Sequence, residues 1–138
     1  MKFRINLTIC LSAILCVAGI ALAQATPKSA EPLTVGIVHS SRYPYATMMK
    51  QSFEMALEIV NQSGGINGRP LKLVYGDDRG ERAPGQKVVK ELAKTHGAVM
   101  LVGVYQSSNA VYMARVADKL DVPLLVCTAA DDRITQRK

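Results

Sequence analysis

Ala98-Val99-Met100-Leu101-Val102 is an almost purely apolar run, and Gly103-Val104-Tyr105-Gln106-Ser107-Ser108 leads from it straight into a helical pattern that begins at Asn109. A run this short and this apolar is a strand buried on both faces. The same unit recurs on either side of it. Leu33 to Val38 is a short β-branched run, followed by the polar loop His39-Ser40-Ser41-Arg42-Tyr43-Pro44 and a helix predicted from about Tyr45 to Gln62. Leu71 to Tyr75 is a second strand, and Gly76-Asp77-Asp78-Arg79-Gly80 turns into a helix predicted from about Ala83 to Thr95. A third helix, Asn109 to Leu120, precedes a fourth strand, Val122 to Val126. The order β-α-β-α-β-α-β predicts an α/β fold, a parallel sheet with helices on both faces and right-handed crossovers. Ligands of such sheets bind beyond the carboxyl ends of the strands, so the loops after strands one, three and four are the informative ones.

The first helix carries Met48, Met49, Phe53, Met55, Ala56, Ile59 and Val60 at three- and four-residue steps, an apolar stripe predicted to face the sheet. Gly64-Gly65 stops it, because glycine readily takes the left-handed conformation at a helix C-terminus. Pro84 suits the first turn of the second helix, and Gly97 ends it.

The amino terminus is built differently. Lys2 and Arg4 precede an uncharged apolar run from Leu7 to Ala23, and Ala23-Gln24-Ala25 places small residues where a signal peptidase cuts. Residues 1–25 are therefore expected to be a secretory signal peptide, residues 26–32 a linker, and residues 33–138 the folded part. Secretion places the protein outside the cytoplasm, with no stable membrane insertion once the signal is removed.

The chain has 138 residues, with seventeen basic side chains, two of them in the leader, against eleven acidic ones. The charge is scattered, there is no Trp, and so neither a basic footprint nor a stacking platform for nucleic acid is expected. Cys10 and Cys16 lie in the leader. Cys127 is left alone at the end of a strand, where it is expected to be a small apolar filler. His39 and His96 are isolated, and no spacing of metal ligands involves them, so no metal or other cofactor is expected. No nucleophile elbow and no acid–base pair stands out, which argues against an enzyme.

Three motifs need weighing. Gly64-Gly65-Ile66-Asn67-Gly68 lies after a helix and before a strand, the reverse of a dinucleotide fingerprint, and is expected to be a turn. Asp77-Asp78 is expected to stabilise its turn by accepting local backbone N–H groups. Ser107-Ser108-Asn109 supplies good N-cap residues, but the free N–H groups and positive dipole end at that place also suit a carboxylate, and the residues alone leave capping and anion binding open.

Val35-Gly36-Ile37-Val38, then Ala56-Leu57-Glu58-Ile59-Val60-Asn61 with Gly64-Gly65-Ile66-Asn67-Gly68-Arg69-Pro70-Leu71, then Asp77-Asp78, and then Leu101-Val102-Gly103 with Ser107-Ser108 together resemble the leucine/isoleucine/valine-binding family of type I periplasmic binding proteins. The resemblance runs from about Leu33 to Thr135. It implies two lobes joined by hinge strands, with a small ligand trapped between them and handed to an inner-membrane ABC permease. It implies that Tyr45 covers the ligand, that Ser107 binds its carboxylate, and that Thr128 offers a backbone carbonyl to its ammonium group. Where the family has a threonine, this chain has Ala130, followed by Asp131. Asp131 then either serves as the anionic partner of the ammonium group, or the ligand is not an α-amino acid. Tyr105 and Ser108, beside Ser107, complete the candidate contacts.

The family runs well over three hundred residues, so the resemblance further implies an N-terminal fragment: an incomplete first lobe with an open sheet edge and an uncovered apolar patch. The expected role is periplasmic capture of an amino acid or similar small carboxylate or amide for ABC transport. A remnant that binds nothing and a ligand-sensing receptor domain are the alternatives.

Overall fold

The computed structural model describes residues 31–136. The expected signal peptide and most of the expected linker lie outside the described residues. Four strands, β1 (Leu33–His39), β2 (Leu71–Asp77), β3 (Met100–Gly103) and β4 (Leu124–Val126), alternate with three helices, α1 (Ala46–Gln62), α2 (Arg82–Lys94) and α3 (Ser107–Lys119). A 3-10 turn, Asp132–Ile134, follows β4. The strands form one parallel sheet in the order β2-β1-β3-β4. Register runs from Leu33 opposite Leu71 to His39 opposite Asp77, and from Val35 opposite Met100 to Val38 opposite Gly103. The chain steps one way from β1 to β2 and the other way from β2 to β3 and β4, so right-handed crossovers put α1 on one face and α2 and α3 on the other.

The α2–α3 face holds the core. Val38 and Leu101 from the sheet pack with Val89 and Leu92 of α2 and with Ala110, Met113 and Ala114 of α3. Close approach is secured by glycine. A Cβ on Gly36 would lie 2.6 Å from Leu101 Cδ2, and one on Gly76 would lie 2.3 Å from Val88 Cγ1. Strand alternation turns Ile37 and Val102 to the opposite face, where both are still buried.

The α1 face is thinner. No residue of α1 is fully buried. Met49, Phe53, Leu57 and Val60 are half-buried and make the inward stripe, whereas Met48, Met55 and Ile59 are 68%, 63% and 58% exposed. The predicted stripe therefore took in outward positions, Ala56 also among them, and left out Leu57. At 100° per residue Met48, Met55 and Ile59 fall close together, roughly 135° round the helix from the sheet-facing line. Leu125, on the same face by alternation, is 52% exposed, and β3 is the one partner of β4 among the described residues. Cys127 corrects a second expectation. It is exposed, because it lies just past the end of this edge strand and not inside a covered one.

The α1–β2 connection is a turn, as expected. Gly64, Gly65, Asn67 and Gly68 all have positive φ, between 52° and 96°, and Ile66 and Arg69 exchange backbone hydrogen bonds across it. Asn61 anchors it: its Nδ2 donates to the Leu71 carbonyl at 3.0 Å and its Oδ1 accepts the Leu71 N–H at 2.7 Å.

Candidate functional site

Parallel pairing brings the carboxyl ends of β1, β3 and β4 side by side. Gly103 is opposite both Val38 and Val126. The loops that leave these ends carry the sequence candidates. Gly103, at φ +125°, and Val104, at φ +63°, turn the chain sharply out of β3. A positive φ is costly for a β-branched residue and persists only where neighbours fix it. Here the Val104 N–H donates to the Val38 carbonyl at 3.2 Å, and the Val104 carbonyl accepts the Thr128 hydroxyl at 3.0 Å. Thr128 thus ties the β4 loop to the β3 loop through its side chain.

α3 starts at Ser107, two residues earlier than the spacing predicts. Ser107, Ser108 and Asn109 occupy its first turn, and Gln106 is the cap residue, with no capping bond from its side chain. Of the two readings left open, capping by these three residues is not what the structure shows. The N–H groups of that turn have no acceptor within the helix and present the positive dipole end. The Ser107 Oγ accepts the Ala130 N–H at 3.1 Å, which joins two of the candidates directly and leaves the hydroxyl hydrogen to be donated elsewhere. Ser108 and Ala130 are exposed.

Tyr45 and Tyr105 come together with ring centroids 4.3 Å apart. Tyr43, not among the sequence candidates, completes a three-ring cluster at 5.6 Å from Tyr45 and 4.9 Å from Tyr105. Gln106 donates to the Tyr43 hydroxyl, and Asn109 Nδ2 donates to Gln106 Oε1 at 3.0 Å. The Tyr43-Pro44-Tyr45 spacing was the signal for the third ring. The Gln106–Asn109 link is a contact through space that spacing does not reveal. Tyr105 keeps 43% of its surface open. Burial, then the neighbouring Tyr105, Tyr43 and Asp78, push the Tyr45 phenol up to about 12, so it is a neutral donor at physiological pH.

Asp131 is paired within its own turn. Its carboxylate accepts the Arg133 N–H at 2.9 Å and Nε at 3.0 Å on one oxygen and a guanidinium nitrogen at 2.6 Å on the other. The Arg133 side chain, then its backbone N–H, hold the carboxyl down to about 2.

Asp77 and Asp78 stabilise their turn, as expected. Asp77 accepts the Arg79 N–H at 2.9 Å and also the Ser41 N–H and hydroxyl, at 2.9 and 2.6 Å. Burial works against the charged form of Asp77, but these bonds, with a contribution from His39, hold its pKa below the ordinary carboxylate value.

Of two cavities, one lies away from the tyrosine cluster and the other reaches Tyr43. The larger, about 550 Å³, runs along β2 and α2 between Tyr75, Arg79, Lys87 and His96. The smaller, about 340 Å³, flanks the outer side of the β1 loop between His39, Tyr43 and Lys50. Neither cavity is lined by a residue of the loops that follow β3 and β4. No group of three or more His, Cys, Asp or Glu able to hold a metal occurs among the described residues, and no helix there is long and apolar enough to cross a membrane.

A parallel sheet of this strand order with helices on both faces is the plan of one lobe of a type I periplasmic binding protein. The chain belongs to the periplasmic binding protein family, whose pattern matches residues 32–137. It is 28% identical over 108 residues, 76% of this chain, to Leu/Ile/Val-binding protein homolog 3 of Brucella melitensis. It is 31% identical over 120 residues, 84% of this chain, to Leu/Ile/Val-binding protein homolog 7 of Brucella suis. It spans 29% of the length of each of these curated relatives. Among solved structures it is similar to the branched-chain amino acid transporter substrate-binding protein LivJ of Streptococcus pneumoniae, in complex with isoleucine. That match has a TM-score of 0.70 and 25% identity over 76% of this chain and 31% of that one. A solute-binding protein of R. palustris in complex with 4-hydroxybenzoate shares the fold, with a TM-score of 0.64 and 24% identity over 78% of this chain and 29% of that one.

Proposed function

We propose that this chain supplies one wall of the ligand site of a periplasmic solute-binding protein that delivers an amino acid or a similar small carboxylate to an ABC permease. The observation that carries the reading is Ser107. Its hydroxyl stands in the first turn of α3 and accepts the Ala130 N–H at 3.1 Å, so its hydrogen is left to donate to an anion bound at the free N–H groups of the turn. Tyr45 and Tyr105 supply the apolar flank for the rest of the ligand. Thr128 holds the β4 loop in place, and Ser108 stands at the rim. Asp131 is committed to Arg133, which favours a ligand whose recognition rests on its carboxylate. A small-molecule site encloses most of its ligand. The second wall is assigned to the portion of the relatives that the match leaves uncovered. Residues 1–25 act as the secretory signal in this reading, residues 26–32 as a linker, and residues 33–138 as the lobe.

The test is calorimetric titration of the protein carrying both walls with leucine, isoleucine, valine and 4-hydroxybenzoate, alongside its Ser107→Ala variant. Losing a hydroxyl donor to a carboxylate lowers affinity about tenfold to a hundredfold. Equal affinities for the two proteins would remove Ser107 from the site.

A further inference from the structure

The buried carboxylate of Asp78 is only half used. The side chain is 1% exposed. Its Oδ1 accepts the Ser40 hydroxyl and, at 2.8 Å, the Gly80 N–H. Its Oδ2 is buried and has no partner. The Tyr45 hydroxyl is also buried and has no partner. The two orphans are complementary, since a carboxylate oxygen only accepts and a neutral phenol donates. They belong to loops already fastened together. The Asp78 N–H donates to the His39 carbonyl at 2.9 Å, Ser40 opens the segment that carries Tyr45, and a Cβ on Gly80 would lie 3.5 Å from the Tyr43 ring. The Asp78 charge is also one of the influences that raise the Tyr45 phenol. The two atoms make no direct hydrogen bond, and one ordered water between them would give both a partner.

We propose that one buried water joins the Tyr45 hydroxyl to Asp78 Oδ2, and that Asp78 is thereby the positioning residue for the aromatic cluster. The water accepts the phenol hydrogen and donates one of its own to Oδ2. Asp78 touches no ligand. It fixes the outer end of the Tyr45 ring, which stacks on Tyr43 and leans on Tyr105. The consequence for binding rests on the reading of Tyr45 as ligand cover; the water bridge itself does not.

Crystallography of the full chain tests the bridge. One water within about 3.2 Å of both atoms is the expected result, and in Tyr45→Phe it is lost while the Ser40 and Gly80 bonds to Asp78 remain. Ordered side chains with no water between them overturn the proposal. Asp78→Asn tests the positioning. Because Ser40 and Gly80 hold the oxygen, the amide nitrogen takes the Oδ2 place and presents a donor to the water. The chain has no Trp, and three of its five tyrosines are in the cluster, so near-ultraviolet circular dichroism reads their mutual orientation. The variant is expected to lose most of that band with its far-ultraviolet spectrum unchanged. An unchanged band overturns the positioning role, and should the variant fail to fold, the crystallographic result decides. Neither measurement needs a ligand, so their outcome stands apart from the Ser107 titration: failure here removes the bridge and leaves the transport reading in place.

Discussion

Gly103→Ala is expected to be among the most damaging single-methyl additions in the chain. Gly103 sits at φ +125°, a region that residues with a side chain rarely adopt. Entering it costs about 1–3 kcal/mol. An added Cβ would also lie 2.1 Å from the carbonyl oxygen of Val38. That oxygen cannot swing away like the end of a flexible side chain, because it belongs to β1 and accepts the Val104 N–H at 3.2 Å. The Gly103 carbonyl in turn accepts the Cys127 N–H at 3.1 Å, so displacement at Gly103 strains the β4 end as well. Two weakened hydrogen bonds add about 1 kcal/mol each, for a combined loss of about 3–5 kcal/mol. Whole domains have only about 5–15 kcal/mol. Gly64→Ala is the matched control. Its φ is +96°, but nothing lies within 4 Å of the added Cβ, so conformational strain acts alone. Urea unfolding followed by far-ultraviolet circular dichroism compares them. The Gly103 variant is expected to unfold at a midpoint more than about 1 M below the Gly64 variant. Equal midpoints would show that the β1–β3 approach is not set by backbone contact, and would refute the reasoning.

Asn61→Ala removes both hydrogen bonds that dock the end of α1 on Leu71, and is expected to cost about 1–3 kcal/mol in the same assay. Asp131 has a folded-state pKa depressed to about 2 from an ordinary 3.8, so its tie to Arg133 is complete above about pH 4 and is lost as pH falls through about 2. Carboxylate NMR titration checks this, and Arg133→Ala should return the midpoint toward the ordinary value. Cys127, being exposed, is expected to react with a water-soluble thiol reagent without prior unfolding, a reaction that Cys127→Ser removes. A thiol that reacts only on denaturation would return it to a covered position.

The alternation of short apolar runs with three- and four-residue periodicity was enough to determine the order of strands and helices along the chain and the parallel sheet. Those features follow from local physics: strands buried on both faces are apolar throughout, and glycines mark helix ends. The glycine turn at Gly64–Gly68 and the turn role of Asp77 and Asp78 were legible for the same reason. Contacts across the sheet were not. Whether Ser107 capped a helix or stood free depended on where α3 began, and that was set by Val104 being held at positive φ by Val38 and Thr128, residues 66 and 24 positions away. Tyr43, Tyr45 and Tyr105 form a cluster because parallel register places the ends of β1 and β3 side by side. Which flank of α1 faces the sheet, and that Cys127 lies in the open, depend on what lies over each face of the sheet. Sequence periodicity specifies a pattern of burial along one element. The neighbour that does the burying is chosen only when the elements pack.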